Sequence, residues 1–192
     1  LPIVFLLYWF AFKKLRAQNL FVVVASYLFY GWWDWRFLIL IAFTTLCSYA
    51  SGILLERQEG HRHIQRLISI ANLVLNLTIL GIFKYFNFFS ENLQHLFQWF
   101  EFELDWVTLD ILLPVGISFY TFQALSYTID IYRHKMKPTH DIVAFFAFNS
   151  FFPQLVAGPI ERATNLLPQF ESQRTFDYTA AVDGMRQILW GL

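Results

Sequence analysis

The sequence predicts an all-α polytopic membrane protein with about five to six transmembrane helices, a re-entrant or broken helix and an amphipathic helix. Three observations lead there. Of the 192 residues, 57% are hydrophobic and only 15% charged, against about 25% charged in an ordinary soluble domain. Mean hydropathy is +0.44. Apolar stretches recur along the chain between short charged segments, and a spanning helix needs about 17–25 such residues.

Residues 1–12 begin inside an apolar run, with no basic region before them and no small-residue cleavage site after them. They read as the remnant of a first transmembrane helix rather than a signal peptide. Further spans are expected at about 19–33, 35–55, 67–89 and 111–132, with a sixth apolar stretch at 142–157. The stretches 19–33 and 142–157 are short for a crossing, which suggests tilted, thin or re-entrant segments. From Met185, the residues Ile188, Leu189 and Leu192 follow at i+3, i+4 and i+7. That spacing marks an interfacial amphipathic helix or the entry to another span. Residues 1–192 are expected to form one part of a single multi-helix domain, truncated at both ends.

Loop charges suggest sidedness. The segment 13–18 carries Lys13, Lys14 and Arg16, 31–36 has one charge of each sign, and 56–66 has three Arg against two Glu. The connection 90–110 holds Glu91, Glu101, Glu103, Asp105 and Asp110 without Lys or Arg, and RHKMK (133–137) is basic again. Lys and Arg favour the cytoplasmic side, so 13–18, 56–66 and 133–141 are expected there and the N-terminus outside. Trp32, Trp33 and Trp35 then fall at the outer interface.

A formal net charge of zero gives no global basic field for nucleic acid. The single cysteine, Cys47, excludes an internal disulfide or a CxxC motif and reads as a small buried hydrophobe. No metal site is expected. His61, His63, His95, His134 and His140 all fall outside the apolar spans and lack the paired, desolvated setting of a tuned base. Lys84 is the one basic residue within an apolar span, near enough to its end to snorkel.

Two features invite a site. Gly116, Tyr120, Gln123, Tyr127 and Asp130 recur at spacings of four, three, four and three, which is one helix stripe. Phe122, Leu125 and Ile129 are expected opposite. In lipid such a stripe turns inward, either to bond other helices or to line a cavity, with Asp130 placed to pair with Arg133. The other feature is FFPQLVAGPIERA (151–163). Pro153 is expected to kink or stop the helix, and Gly158-Pro159 forces a second break. The segment is either a re-entrant element presenting Gln154, Glu161 and Arg162 to an interior, or a short helix ending at the surface.

These patterns leave an enzyme and a transporter both open. Four strings resemble the membrane-bound O-acyltransferase family in its own order: ASYLFYGWWDWRFL (25–38), GIFKYFNFF (81–89), LLPVGISFYTFQALSYTIDIYR (112–133) and FFPQLVAGPIERATNLLPQF (151–170). They are most similar to its bacterial polysaccharide branch, which acetylates alginate-like polymers. The resemblance implies a multi-helix enzyme in the bacterial inner membrane. It would move acetyl from a cytoplasmic donor such as acetyl-CoA to an extracytoplasmic polysaccharide, with no bound cofactor and with an acetyltransferase-like partner protein. It also implies that the family's catalytic His lies in a segment without a match here. The chain is then the N-terminal half, inactive alone, and contributes scaffold and tunnel wall. The residues implied in the wall or donor entrance are Tyr120, Gln123, Tyr127, Asp130, Pro153, Gln154, Gly158, Pro159, Glu161 and Arg162. Arg162 is placed to meet an anionic part of the donor, or to pair with Glu161 or Asp130.

Overall fold

A computed structural model describes residues 2–99 and 116–191. Much of the expected acidic connection, the start of span 111–132, Leu192 and the side chains of His95 and Trp33 lie outside the described residues. All regular structure among the described residues is helical. Helix α1 (Pro2–Leu6) runs on through a π-helical turn at Leu7–Ala11. Then come α2 (Leu15–Trp33), α3 (Arg36–Arg57), α4 (Arg62–Trp99), α5 (Ile117–Tyr132) and α6 (Ile142–Asn149). The chain continues with α7 (Phe152–Ala157), α8 (Ala163–Glu171) and α9 (Tyr178–Gly191).

Two described helical segments, Arg36–Arg57 and Arg62–Tyr85, are long and apolar enough to cross a bilayer by length and composition. The finer expectation of five to six spans is not established by that measure. Helix α4 does not end at 89 but continues for 38 residues to Trp99, about 57 Å at 1.5 Å per residue. The reason is local, since residues 90–99 contain no Gly or Pro to stop it. Lys84 sits at the close of the apolar stretch, exposed, with its ammonium 5.5 Å from the Tyr85 ring centre.

Polar side chains are buried in the bundle beside two apolar clusters, while much of the outer surface is apolar. Asn19, Ser26, Thr44, Thr45, Ser48, Asn72 and Asn76 are buried, while Leu28, Ile39, Leu67 and Val74 are more than half exposed. A surface of that kind suits hydrocarbon rather than water. Trp32 is 94% exposed and Trp35 64% exposed.

Helices α3, α4, α5 and α6 run antiparallel in succession, which the cross-links establish level by level. At one end, the Gln65 amide donates to the Leu55 carbonyl (3.1 Å), and Tyr49 Oη donates to the His140 carbonyl (3.0 Å). At mid-height, Asn72 donates to Thr128 Oγ1 (2.7 Å), and Ser48 Oγ lies 3.3 Å from Asn72 Oδ1. At the other end Tyr30, Ile41, Leu80, Ile117 and Tyr120 share one apolar cluster. Helix α5 lies at the centre, packed against α3, α4, α6 and α8. Its expected apolar face is only partly outward: Phe122 is exposed, but Leu125 is buried. A helix surrounded on most sides has little lipid-facing surface left.

The α3–α5 contact depends on a missing side chain. A Cβ at Gly52 would lie 2.6 Å from Tyr127 Oη and 2.7 Å from its ring, and Tyr127 is fully buried. Gly52→Val is therefore expected to destabilise the protein by about 1–3 kcal/mol, the usual cost of overpacking. Thermal unfolding in detergent, compared with Gly81→Val on an open face, checks this.

Candidate functional site

The polar stripe of α5 is buried as its spacing requires. Tyr120, Gln123, Tyr127 and Asp130 are each 5% exposed or less. Gly116 serves differently: with φ +76° it caps the helix start in the left-handed region, where glycine is favoured. A Cβ there would approach the Leu155 carbonyl oxygen at 3.3 Å, so Gly116 also lets α7 lie close.

Most of the stripe bonds to other elements. The Gln123 amide donates to the Phe148 carbonyl (3.2 Å), and Tyr127 Oη accepts from the Thr139 backbone N–H (3.2 Å). The Tyr127 ring lies 4.5 Å from that of Phe145. Tyr120 and Asp130 are exceptions, and Asp130 Oδ2 is buried without a partner among the described residues. The Tyr120 hydroxyl and that of Tyr30 are likewise buried without a hydrogen-bond partner among the described residues. The two rings share their cluster with Phe152 and Leu155 of α7. The expected Asp130–Arg133 pair is absent among the described residues. Arg133 caps the end of α5 and is exposed, while Asp130 is buried, so the two side chains part at the helix end.

The broken segment differs from expectation in where it breaks. Helix α6 starts on an Asp141 cap, whose Oδ1 accepts from the N–H groups of Val143 (2.9 Å) and Ala144 (3.2 Å). It stops at Ser150–Phe151, and Phe151 takes ψ 96°. Pro153 is not the breaker; it lies in the first turn of α7, where a missing N–H costs nothing. Ser150 Oγ instead folds back onto the Phe146 carbonyl (2.7 Å), and the Phe152 N–H donates to Ser26 Oγ on α2 (3.3 Å). The break at Gly158-Pro159 is present. Gly158 is extended, and Gln154, largely buried, donates to the Pro159 carbonyl (3.0 Å).

Past that break the chain turns back. Leu155 lies beside Gly116 at the start of α5, but the Ala163 N–H donates to Ser126 Oγ, ten residues further along that helix (3.3 Å). At the end of α8, the Phe170 carbonyl accepts from Asn19 at the start of α2 (2.7 Å). His140 meets Glu56 at the end of α3 (3.1 Å). Segment 141–171 thus enters and leaves at the same end of the bundle, as a hairpin. Pro159 and Arg162 are exposed on its returning arm, and Pro153 and Glu161 are partly exposed. Glu161 accepts from Asn165 (3.4 Å), and Arg162 pairs with neither Glu161 nor Asp130. The predicted residues therefore form a buried group on α5 with Gln154, and a separate exposed rim.

Sequence reasoning missed three buried connections. Asn72 and Asn76 bond each other (3.0 Å) and join Ser48 and Thr128. Asn149 donates to Thr45 (2.8 Å). Arg174 bonds Tyr8 Oη and Asn19 Oδ1 and lies over the rings of Tyr8 and Phe170. The i, i+4 pair of Asn within the apolar run NLVLN was a readable signal for the first. His61, His63, His134 and His140 are all exposed.

The chain is 37% identical to the probable alginate O-acetylase AlgI of Pseudomonas aeruginosa, over all of this chain and 36% of that protein. The probable alginate O-acetylase AlgI of Azotobacter vinelandii is 38% identical over 92% of this chain and 35% of its own length. The peptidoglycan O-acetyltransferase of Helicobacter pylori is 30% identical over 84% of this chain and 34% of its own. The chain is thus similar, along all or most of its length, to one part of proteins named as O-acetylases or O-acetyltransferases. It spans little more than a third of the length of the curated relatives it matches. No family model matches the chain, and no solved structure does. Two helices long and apolar enough to cross a bilayer, together with these relatives, mark the chain as part of a membrane protein.

Two substitutions test the local geometry of this segment. Gln123→Leu strips the Phe148 carbonyl of its donor and is expected to cost about 1–3 kcal/mol. Pro153→Ala is expected to change stability by less than about 1 kcal/mol, because the first turn needs no N–H at that position. Thermal unfolding of the two variants distinguishes them, and a large loss at Pro153 would contradict the assigned break.

Proposed function

We propose that this chain is the scaffold and part of the tunnel wall of a membrane O-acetyltransferase. The whole protein would move acetyl from a cytoplasmic donor such as acetyl-CoA to an extracytoplasmic, alginate-like polysaccharide. The observation that carries the reading is 37% identity to a probable alginate O-acetylase along the whole of this chain. In this reading 13–18, 56–66 and 133–141 face the cytoplasm in a bacterial inner membrane. An acetyltransferase-like partner protein completes delivery to the polymer.

The re-entrant hairpin and α5 supply the wall. Tyr30 and Tyr120 bring two buried hydroxyls to the junction of α2, α5 and α7, where either could donate to an acyl or alcohol oxygen. Tyr127, Asp130, Gln123 and Gln154 shape the chamber around them. Gly158, Pro159, Glu161 and Arg162 form its returning arm, and Arg162, free of ion pairs among the described residues, faces the donor's anionic groups. None of the exposed histidines acts as the base. A peptidoglycan acceptor is the second reading, favoured by the relative in Helicobacter pylori.

Mass spectrometry of surface polymers, with and without the full-length protein, tests the reaction class. Acetyl esters are expected to disappear from one polymer on deletion; the identity of that polymer separates the two acceptors, and no change in any ester defeats the assignment. Within the full-length enzyme, Tyr120→Phe is expected to lower transfer by about tenfold or more, the scale of one lost hydrogen bond, with thermal stability retained. His134→Ala and His140→Ala are expected to leave transfer within about threefold of wild type, since both side chains are exposed and lie away from the buried stripe of α5.

A further inference from the structure

At the start of α4, Arg62, His63 and Arg66 line a recess of about 360 Å³ whose remaining wall is Tyr132 at the end of α5. All three α4 side chains are exposed, and neither Arg forms an ion pair among the described residues. Of the nearby carboxylates, Glu56 is engaged by His140 (3.1 Å), which leaves Glu59 on the preceding turn. These cations do not serve the helix itself: its first turn carries no acid, and positive side chains at a helix start oppose the macrodipole. The recess is therefore a concave surface with more cations than the one nearby free carboxylate, Glu59, and its two guanidinium groups form no ion pair among the described residues.

The surface continues in a second register. From His63, the positions Leu67, Ile70, Val74 and Leu77 follow at i+4, i+7, i+11 and i+14, along one face of α4. These four side chains are 68%, 45%, 55% and 42% exposed. A basic recess thus adjoins an apolar track running down the apolar part of the helix. An inorganic anion would use only the first feature. A lipid uses both, with its phosphate between the two guanidinium groups and an acyl chain along the track. The pairing of Arg with phosphate is geometrically apt, and basic clusters at the membrane surface select anionic headgroups.

We propose that this face binds an anionic phospholipid, its headgroup held by Arg62, His63 and Arg66 and its chain lying on Leu67, Ile70 and Val74. The proposal rests on the chain being a membrane protein and not on the acetyl-transfer reading.

The test uses full-length protein in detergent, its melting temperature read against added phosphatidylglycerol, phosphatidylcholine or inorganic phosphate. Phosphatidylglycerol is expected to raise the melting temperature and the other two are not. Arg62→Gln/Arg66→Gln is expected to raise the phosphatidylglycerol concentration for half the effect by about tenfold or more, while Lys13→Gln leaves it unchanged. Leu67→Ser/Ile70→Ser, on exposed positions, is expected to weaken the response in the same direction. An unaltered response in the double Arg variant overturns the proposal. So does an equal response to inorganic phosphate, which would make the recess a free-anion site, or to phosphatidylcholine.

Discussion

Backbone that leaves the helix inside an apolar environment must find hydrogen bonds from its neighbours, because no water is at hand to supply them. The packing of this bundle follows from that constraint. Segment 141–171 breaks twice, and each break is met by a side chain from another element. Ser26 takes the N–H after the first break, and Ser126 takes the N–H that follows the second. Gln123 and Gln154 donate to carbonyls on either arm. Helix α5 is buried with a polar stripe because it provides much of this support. Its neighbours α3 and α4 are tied to it through Asn72 and Thr128.

The same constraint makes the interior a place where chemistry can be arranged. Helices that exchange side-chain hydrogen bonds are held in register, so a hydroxyl between them has a fixed direction. Tyr30 and Tyr120 are such groups, at the point where the hairpin reaches furthest along α5. The returning arm then carries Glu161 and Arg162 back toward the end from which it came. In the proposed enzyme this gives one element both a deep wall and a rim at the entrance.

The all-helical character and two apolar spans were legible because apolar length is a property of short windows. The burial of Tyr120, Gln123, Tyr127 and Asp130 was legible from helix periodicity alone. Their partners were not, since Phe148 and Thr139 are set by how helices meet. Pro153 illustrates the limit: proline breaks a helix interior but suits a first turn, and only the bond from Phe152 to Ser26 says which position it holds. Asp130 and Arg133 illustrate another, because three residues apart on a helix counts as adjacent only while the helix continues. It ends at Tyr132. Arg174 lies in an irregular stretch between α8 and α9, where no period exists to read, and its contacts with Tyr8 and Asn19 arise wholly from the tertiary fold.

The central claim is that 141–171 enters and leaves the bundle at one end. Single cysteines at Lys137 and Ser172, placed one at a time in a Cys47→Ser background of the full-length protein, test it through labelling with a membrane-impermeant maleimide. Both positions are expected to react from the same face of the membrane in oriented vesicles, the face that also labels a cysteine at Lys13. Labelling of Lys137 and Ser172 from opposite faces would mean that the segment crosses, and would contradict the account.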